Sequence, residues 1–264
     1  MANGCVWIIT IGAVDGAAQS VASELQPYGL NVQGQKWPIG EKQPWLASAK
    51  AAADQSGQVV IVVTTKQYYT DPSIRRELAL FRLLLQTQLN RPVEGFVIFS
   101  ETADAIPALT SGTTGCLLGD WEVAPSDVGW AARVVARLHA PRPPQWPAKL
   151  ALIARENGGI WLSVSPLAGQ SLDGCLVGVS GNESDISFHA VGPLDGLPQT
   201  SINEYEIKGM AFDAGGQSFK AWALQNMIDS KQAYYVRLEG EPNVIAIGQL
   251  PNGQVDDVDL LTFA

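Results

Sequence analysis

An α/β domain followed by a separate β-rich domain is the fold class this sequence predicts, and three observations predict it. Up to about residue 140, short apolar runs alternate with helix-like segments, the pattern of a doubly wound sheet of about five parallel strands. Four prolines then fall within residues 141–147, a density that prevents a helix or an interior strand and favours a stiff connector. Beyond them, short β-prone runs are separated by Gly, Asn, Asp and Pro, as in an antiparallel sandwich or barrel. The expected parts are a domain over residues 1–140, a linker over 141–148 and a β-rich domain over 149–264.

Taken in order, CVWIITI (5–11) reads as a buried strand and DGAAQSVASELQPYG (15–29) as a helix with Asp15 near its N-cap and Gly29 past its end. LNVQ is a short strand, and KQPWLASAKAAADQSG an Ala-rich helix ended by Gly57. QVVIVVT (58–64) is a β-branched run of the kind buried on both faces of a parallel sheet. TTKQYYTDPSIRRELALFRLLL (64–85) lifts two tyrosines off that strand and starts a helix, with Asp71 or Ser73 as its cap. EGFVIFS (94–100) and TGCLLG (114–119) complete the strands, and SDVGWAARVVARL (126–138) is the last helix, with Trp121 and Trp130 as packing residues.

In the second half, GGIWLSVSP, DGCLVGVSG, SDISFHAVG, NEYEIKGMAFD, QSFKAWALQ, QAYYVRLEG, NVIAIGQLP and VDDVDLLTFA read as separate strands. Strict alternation would put Tyr234, Val236 and Leu238 on the face opposite to Tyr235, Arg237 and Glu239. KAWALQNMIDSKQ (220–232) also reads as a single helix.

Composition removes several function classes. The net charge of −9 and scarce Lys and Arg disfavour nucleic acid as a partner. Residues 141–264 carry 7 basic against 14 acidic residues, so most of the acidity belongs to the second domain. Cys5, Cys116 and Cys175 are far apart and form no CxxC, which points to a reducing, cytoplasmic setting without a disulfide framework or zinc ribbon. The N-terminal run lacks a basic leader, and no apolar segment reaches membrane-spanning length. The expectation is a soluble chain with no membrane partner.

Two histidines, His139 and His189, leave little material for a His-based triad or metal site. A strand histidine such as His189 is most often a satisfied, half-buried residue. The chain has neither a GxxxxGK[ST] loop nor a GxGxxG turn, which removes the phosphate-cradling loops that use them. Asp256, Asp257 and Asp259 lack the spacing and tight-turn glycine of a calcium loop. The expectation is no bound metal and no resident cofactor.

Residues 1–138 resemble a Toll/interleukin-1 receptor (TIR) domain of the bacterial type. The resemblance rests on WIITIGAVD, on LQPYGLNV leading into the second strand, and on QKWPIGEKQPW with Gly40 before the second helix. Its most specific part is AAADQSGQVVIVVTTKQYYTDPSIRREL. The family implies a flavodoxin-like sheet. In members that consume NAD⁺, the glutamate of the last passage is catalytic and matches Glu77. The resemblance also implies NAD⁺ or a related nucleotide as substrate, and self-association through this domain. Thr10, and Ile11 at the position of the family's aromatic, would face the substrate.

Chemistry agrees that one carboxylate suffices. Expelling neutral nicotinamide leaves a ribosyl cation that a preorganised anion stabilises, without a metal. Tyr68 and Tyr69 would hold adenine or else pack the strand end. Trp37 and Trp45 would offer stacking surfaces or else act as loop anchors or an assembly surface. Glu77 is equally at home in the first turns of a helix on electrostatic grounds alone, with Arg75 and Arg76 solvated. The functional expectation is a TIR-type NAD⁺ glycohydrolase regulated by a second domain that binds an unknown ligand or protein. The alternatives are a catalytically silent adaptor and a nucleotide-binding module without turnover.

Overall fold

A computed structural model describes residues 5–101, 114–124, 129–142, 145–155, 159–194, 196–250 and 258–263. The chain divides into two compact units, one of residues 1–108, 118–145 and 264, the other of residues 109–117 and 146–263. Among the described residues, no helix is long and apolar enough to cross a membrane.

The first unit is α/β. In chain order it has β1 (Cys5–Thr10), α1 (Asp15–Leu25), a 3₁₀ turn (Gln26–Tyr28), β2 (Asn31–Lys36), α2 (Pro44–Asp54), β3 (Gly57–Thr64), α3 (Lys66–Tyr69), α4 (Pro72–Leu89) and β4 (Glu94–Phe99). After β5 (Thr114–Cys116), which belongs to the second unit, come β6 (Glu122–Ala124) and α5 (Trp130–His139). The sheet runs β2-β1-β3-β4-β6, and every pair is parallel. β1 and β4 are buried at every position, which is why they read as unbroken apolar runs.

Val6, Ile8, Val59, Ile61, Phe96 and Ile98 pack against Val21 and Leu25 of α1 and Val134 and Leu138 of α5. α2 packs on α4. α4 buries Leu78, Ala79, Leu80, Phe81, Leu83, Leu84 and Leu85, a segment apolar on every side but for Arg82, and so it belongs in the core. Truncating one of these leucines to alanine costs about 2–5 kcal/mol.

Several sequence expectations shift at element ends. Asp15 is the first helical residue rather than the cap, and its carboxylate pairs with Lys36 at 2.7 Å. α2 ends at Asp54; Ser56 takes a left-handed φ of 55°, and Gly57 already opens β3. α5 starts at Trp130, residues 125–128 lying outside the described residues. TGC does not join the parallel sheet. It forms β5, whose backbone pairs with residues 260–262, and β6 takes the position beside β4.

The second unit is β-rich and largely antiparallel. It comprises β5, β7 (Lys149–Arg155), β8 (Gly159–Ser165), β9 (Leu172–Pro193), β10 (Ile207–Ala214), β11 (Gln217–Ile228), β12 (Gln232–Gly248) and β13 (Val258–Thr262). The path is β10-β11-β9-β12-β13-β5, with β8 also on β12 and β7 on β8. DGCLVGVSG and SDISFHAVG prove to be one strand, β9, and QAYYVRLEG and NVIAIGQLP another, β12; the two pair along their length.

The pairing of the two long strands shifts register midway, as at β-bulges, and resumes on the far side. Gly240 has a φ of 68°, and a Cβ there would lie 2.2 Å from the carbonyl oxygen of Glu183, so only glycine fits the crossing. The residues of 220–232 continue β11 to Ile228 and form no helix. Alternate positions Phe219, Ala221 and Ala223 go inward, a period of two that a helix cannot bury. Tyr234, Tyr235 and Val236 are all fully buried, so strict inward and outward alternation fails in this part of β12.

Candidate functional site

The carboxyl ends of the first unit's strands gather the residues singled out above. Trp37, immediately after β2, donates its backbone N–H to Thr10 at 2.8 Å, and Ile11, after β1, donates to Val63 at 3.0 Å. Ser100, after β4, donates to Thr64 at 2.9 Å. The backbones leaving β1 to β4 are thus laced together at the edge where open α/β sheets present ligand sites.

Asp71 caps α4, its Oδ1 accepting the N–H groups of Ser73 at 2.8 Å and Ile74 at 3.4 Å. With Pro72 as the first helical residue, Glu77 falls in the second turn, past the reach of the helix dipole's amino end. Glu77 is half-buried. The indole Nε1–H of Trp37 donates to its Oε2 at 3.1 Å. The Trp37 ring meets Phe81 edge to face, with centroids 5.8 Å apart. Phe81 lies one helical turn beyond Glu77, so one tryptophan spans both residues on one face of α4.

The other expected contacts are distributed differently. Tyr68 is half-buried and lies over Gly12, where a Cβ would stand 2.5 Å from its ring at a φ of 85°. The β1–α1 turn therefore needs glycine. Ile11 and Tyr69 have no exposed surface. Tyr69 packs edge-on against Phe99 at 5.7 Å, with the Arg75 guanidinium 5.6 Å over its ring. Arg75 is buried rather than solvated. Trp37 and Trp45 are both buried, which fits anchoring the loop and not stacking or assembly from an open surface.

Thr10 is nearly buried, its hydroxyl directed at the Gln35 carbonyl at 3.4 Å. It also lines a cleft of about 350 Å³ with Lys36, Val32 and Ala18. Glu101 was not singled out in the sequence. Its Oε1 accepts the Lys66 N–H at 2.9 Å and fixes the start of α3; its place directly after a parallel strand is the signal that marks it.

A second polar cluster lies in the second unit around His189. Nε2 is 2.8 Å from Glu206 Oε2, and Nδ1 is 2.8 Å from the Tyr234 hydroxyl. Glu206 also binds Lys208 at 2.8 Å and Asn203 at 3.1 Å, and chiefly Lys208 pulls its carboxyl down to about 2. An ionised carboxylate only accepts, so Nε2 carries the imidazole proton and Nδ1 accepts from Tyr234. Burial lowers the His189 pKa, against the opposing pull of Glu206. Burial raises that of Tyr234. With His189 and Tyr234 both buried, the cluster ties residues 201–206 to β9 and β12 rather than facing a ligand.

The described residues contain no group of three or more His, Cys, Asp or Glu able to hold a metal. Asp259 is described, while Asp256 and Asp257 lie outside the described residues. The cysteines are buried free thiols, and burial raises the pKa of Cys175.

No family model matches the chain, and no curated protein matches it. Among solved structures, ChBD3 from Thermococcus kodakarensis KOD1 is similar over 41% of this chain and 91% of its own, at 12% identity and a TM-score of 0.22. A likeness that low carries no argument about fold or function.

Proposed function

We propose that the first unit is a TIR-like, flavodoxin-like wound domain that hydrolyses NAD⁺, with Glu77 as its catalytic carboxylate. The strand order β2-β1-β3-β4-β6 supports the topology. The observation that carries the activity is Glu77 itself, a partly exposed carboxylate oriented by a buried indole beside the carboxyl ends of the strands. In the reaction, the bond between ribose C1′ and the nicotinamide nitrogen breaks, and its electron pair leaves with neutral nicotinamide. The ribosyl cation, stabilised by the Glu77 carboxylate, adds water and releases a proton to give ADP-ribose. NAD⁺ is substrate here, and no resident cofactor takes part.

Self-association of the first unit and a regulatory ligand or protein at the second belong to the same proposal. Incubating the full chain with NAD⁺, with and without crowding agent, and measuring free nicotinamide tests it. Release abolished in Glu77→Gln but kept in Glu24→Gln, an exposed site on α1, is the expected result. A silent adaptor is the second reading. It is favoured by the full burial of Ile11 and Tyr69, which withholds two of the expected substrate contacts.

A further inference from the structure

Resting on that reading of Glu77, we infer that Trp37 is a positioning residue, which acts on the site through the carboxylate and not by touching substrate. The whole residue is only 4% exposed, too little for a base or ribose to stack on its ring. Three contacts hold it: backbone N–H to Thr10, ring edge to Phe81 and indole N–H to Glu77. The fixed residue after it, Pro38, and the turn closed by the Ile39 N–H on the Trp37 carbonyl at 2.9 Å limit how the loop can move without moving the indole.

An indole N–H donates and never accepts, so it offers no route for a proton. What it does is hold one carboxylate oxygen in a set direction, and a charge is useful to a developing cation only if it is already in place. The Trp37–Ile39 turn and the orientation of Glu77 are thereby coupled.

The test needs a readout that packing alone would not move. In ¹⁵N-labelled full chain, the Trp37 indole cross-peak is identified among those of the eight tryptophans by its loss in Trp37→Phe. It is then followed through acid titration in wild type and in Glu77→Gln. The expected result is a peak that titrates with the carboxylate in wild type and is displaced and pH-independent in Glu77→Gln. An indole peak indifferent to Glu77→Gln overturns the proposal. That arm needs no foldable Trp37 variant, because assignment can also be made through backbone connectivities.

In the activity arm, Trp37→Phe keeps a ring for Phe81 and removes the donor. kcat falls about ten- to a hundred-fold, the loss of one hydrogen bond to a charge, while KM is unchanged. A raised KM with unchanged kcat also overturns the proposal, since it would place Trp37 on the substrate. If wild type releases no nicotinamide while the indole peak still follows Glu77, the NAD⁺ reading fails and the coupling stands.

Discussion

The carboxylate of Asp120 meets both terminal nitrogens of Arg82, the Nη2 to Oδ2 contact at 2.7 Å, and so ties the turn before β6 to the middle of α4. Arg82 is 1% exposed and Asp120 38%. Gln86 supports the pair, accepting from Arg82 Nε at 3.3 Å and from the Val93 N–H at 3.2 Å. Asp120→Ala removes the carboxylate that engages both terminal nitrogens of a buried guanidinium. The expected loss is somewhat below the about 3–5 kcal/mol of a broken buried pair, because one partner is partly solvated. Urea unfolding of Asp120→Ala, Arg82→Leu and the double variant measures it. A double variant as unstable as the summed singles would mean the two are uncoupled.

Glu77→Gln keeps side-chain volume and an oxygen that can accept from Trp37. Stability should fall by no more than about 1 kcal/mol, the scale of one hydrogen bond losing its charge. Nicotinamide release should fall by orders of magnitude. Arg75→Gln is not a neutral comparison, since Arg75 is buried over Tyr69; it should destabilise more than Glu77→Gln does. Thermal melts of the two variants side by side decide this.

His189 carries a pH prediction with a definite sign. Its folded pKa lies below the ordinary 6.5, chiefly through burial, so the unfolded chain binds the proton more readily. The stability it contributes is present above about 6.5 and is lost as pH falls from there through the folded value. Glu206, Lys208 and Tyr234 face the ring, and Glu206 stays ionised throughout that window. The stability advantage of wild type over His189→Gln should therefore shrink between pH 7.5 and 5. A difference that is constant across that range would refute the assignment of a neutral imidazole.

Gly240→Ala should destabilise the second unit by more than about 1 kcal/mol. The new Cβ would stand 2.2 Å from a backbone oxygen at a positive φ, and neither group can give way cheaply. Gly216, at the β10–β11 turn with φ of 76° and open space around it, isolates the φ cost. Gly216→Ala should lose less, and equal losses in denaturant midpoint would argue against the steric part.

The parallel sheet was legible because its central strands are buried on both faces, so a β-branched run such as residues 58–64 announces itself locally. The continuity of β9 and β12 through their register shifts was not. Gly181-Asn182 and Gly240-Glu241-Pro242 carry turn chemistry, and nothing local says that the chain keeps its partner there. The sheet that TGC joins depends on residues 260–262, far along the chain. At the site, Glu77 was singled out through family resemblance alone, whereas the helix start before it was legible through Asp71. The hydrogen bond of Glu77 to Trp37 joins residues 40 apart in sequence, a separation at which spacing rules are silent. Arg75 read as solvated because charge usually is, and only tertiary contact with Tyr69 overrides that prior.

β5 has a consequence for any attempt to take the protein apart. The chain gives β5 to the second unit, returns to the first over residues 118–145, and supplies the rest of the second unit from 146 to 263. A gene fragment beginning at the proline-rich stretch would code for a sheet missing its terminal strand, and β13 would show a bare hydrogen-bonding edge at residues 260–262. Such a fragment would be short of one small piece that a synthetic peptide of residues 109–118 could restore, in the manner of a split protein. The cut that looks cleanest in the linear sequence is thus not the one that yields a finished fold.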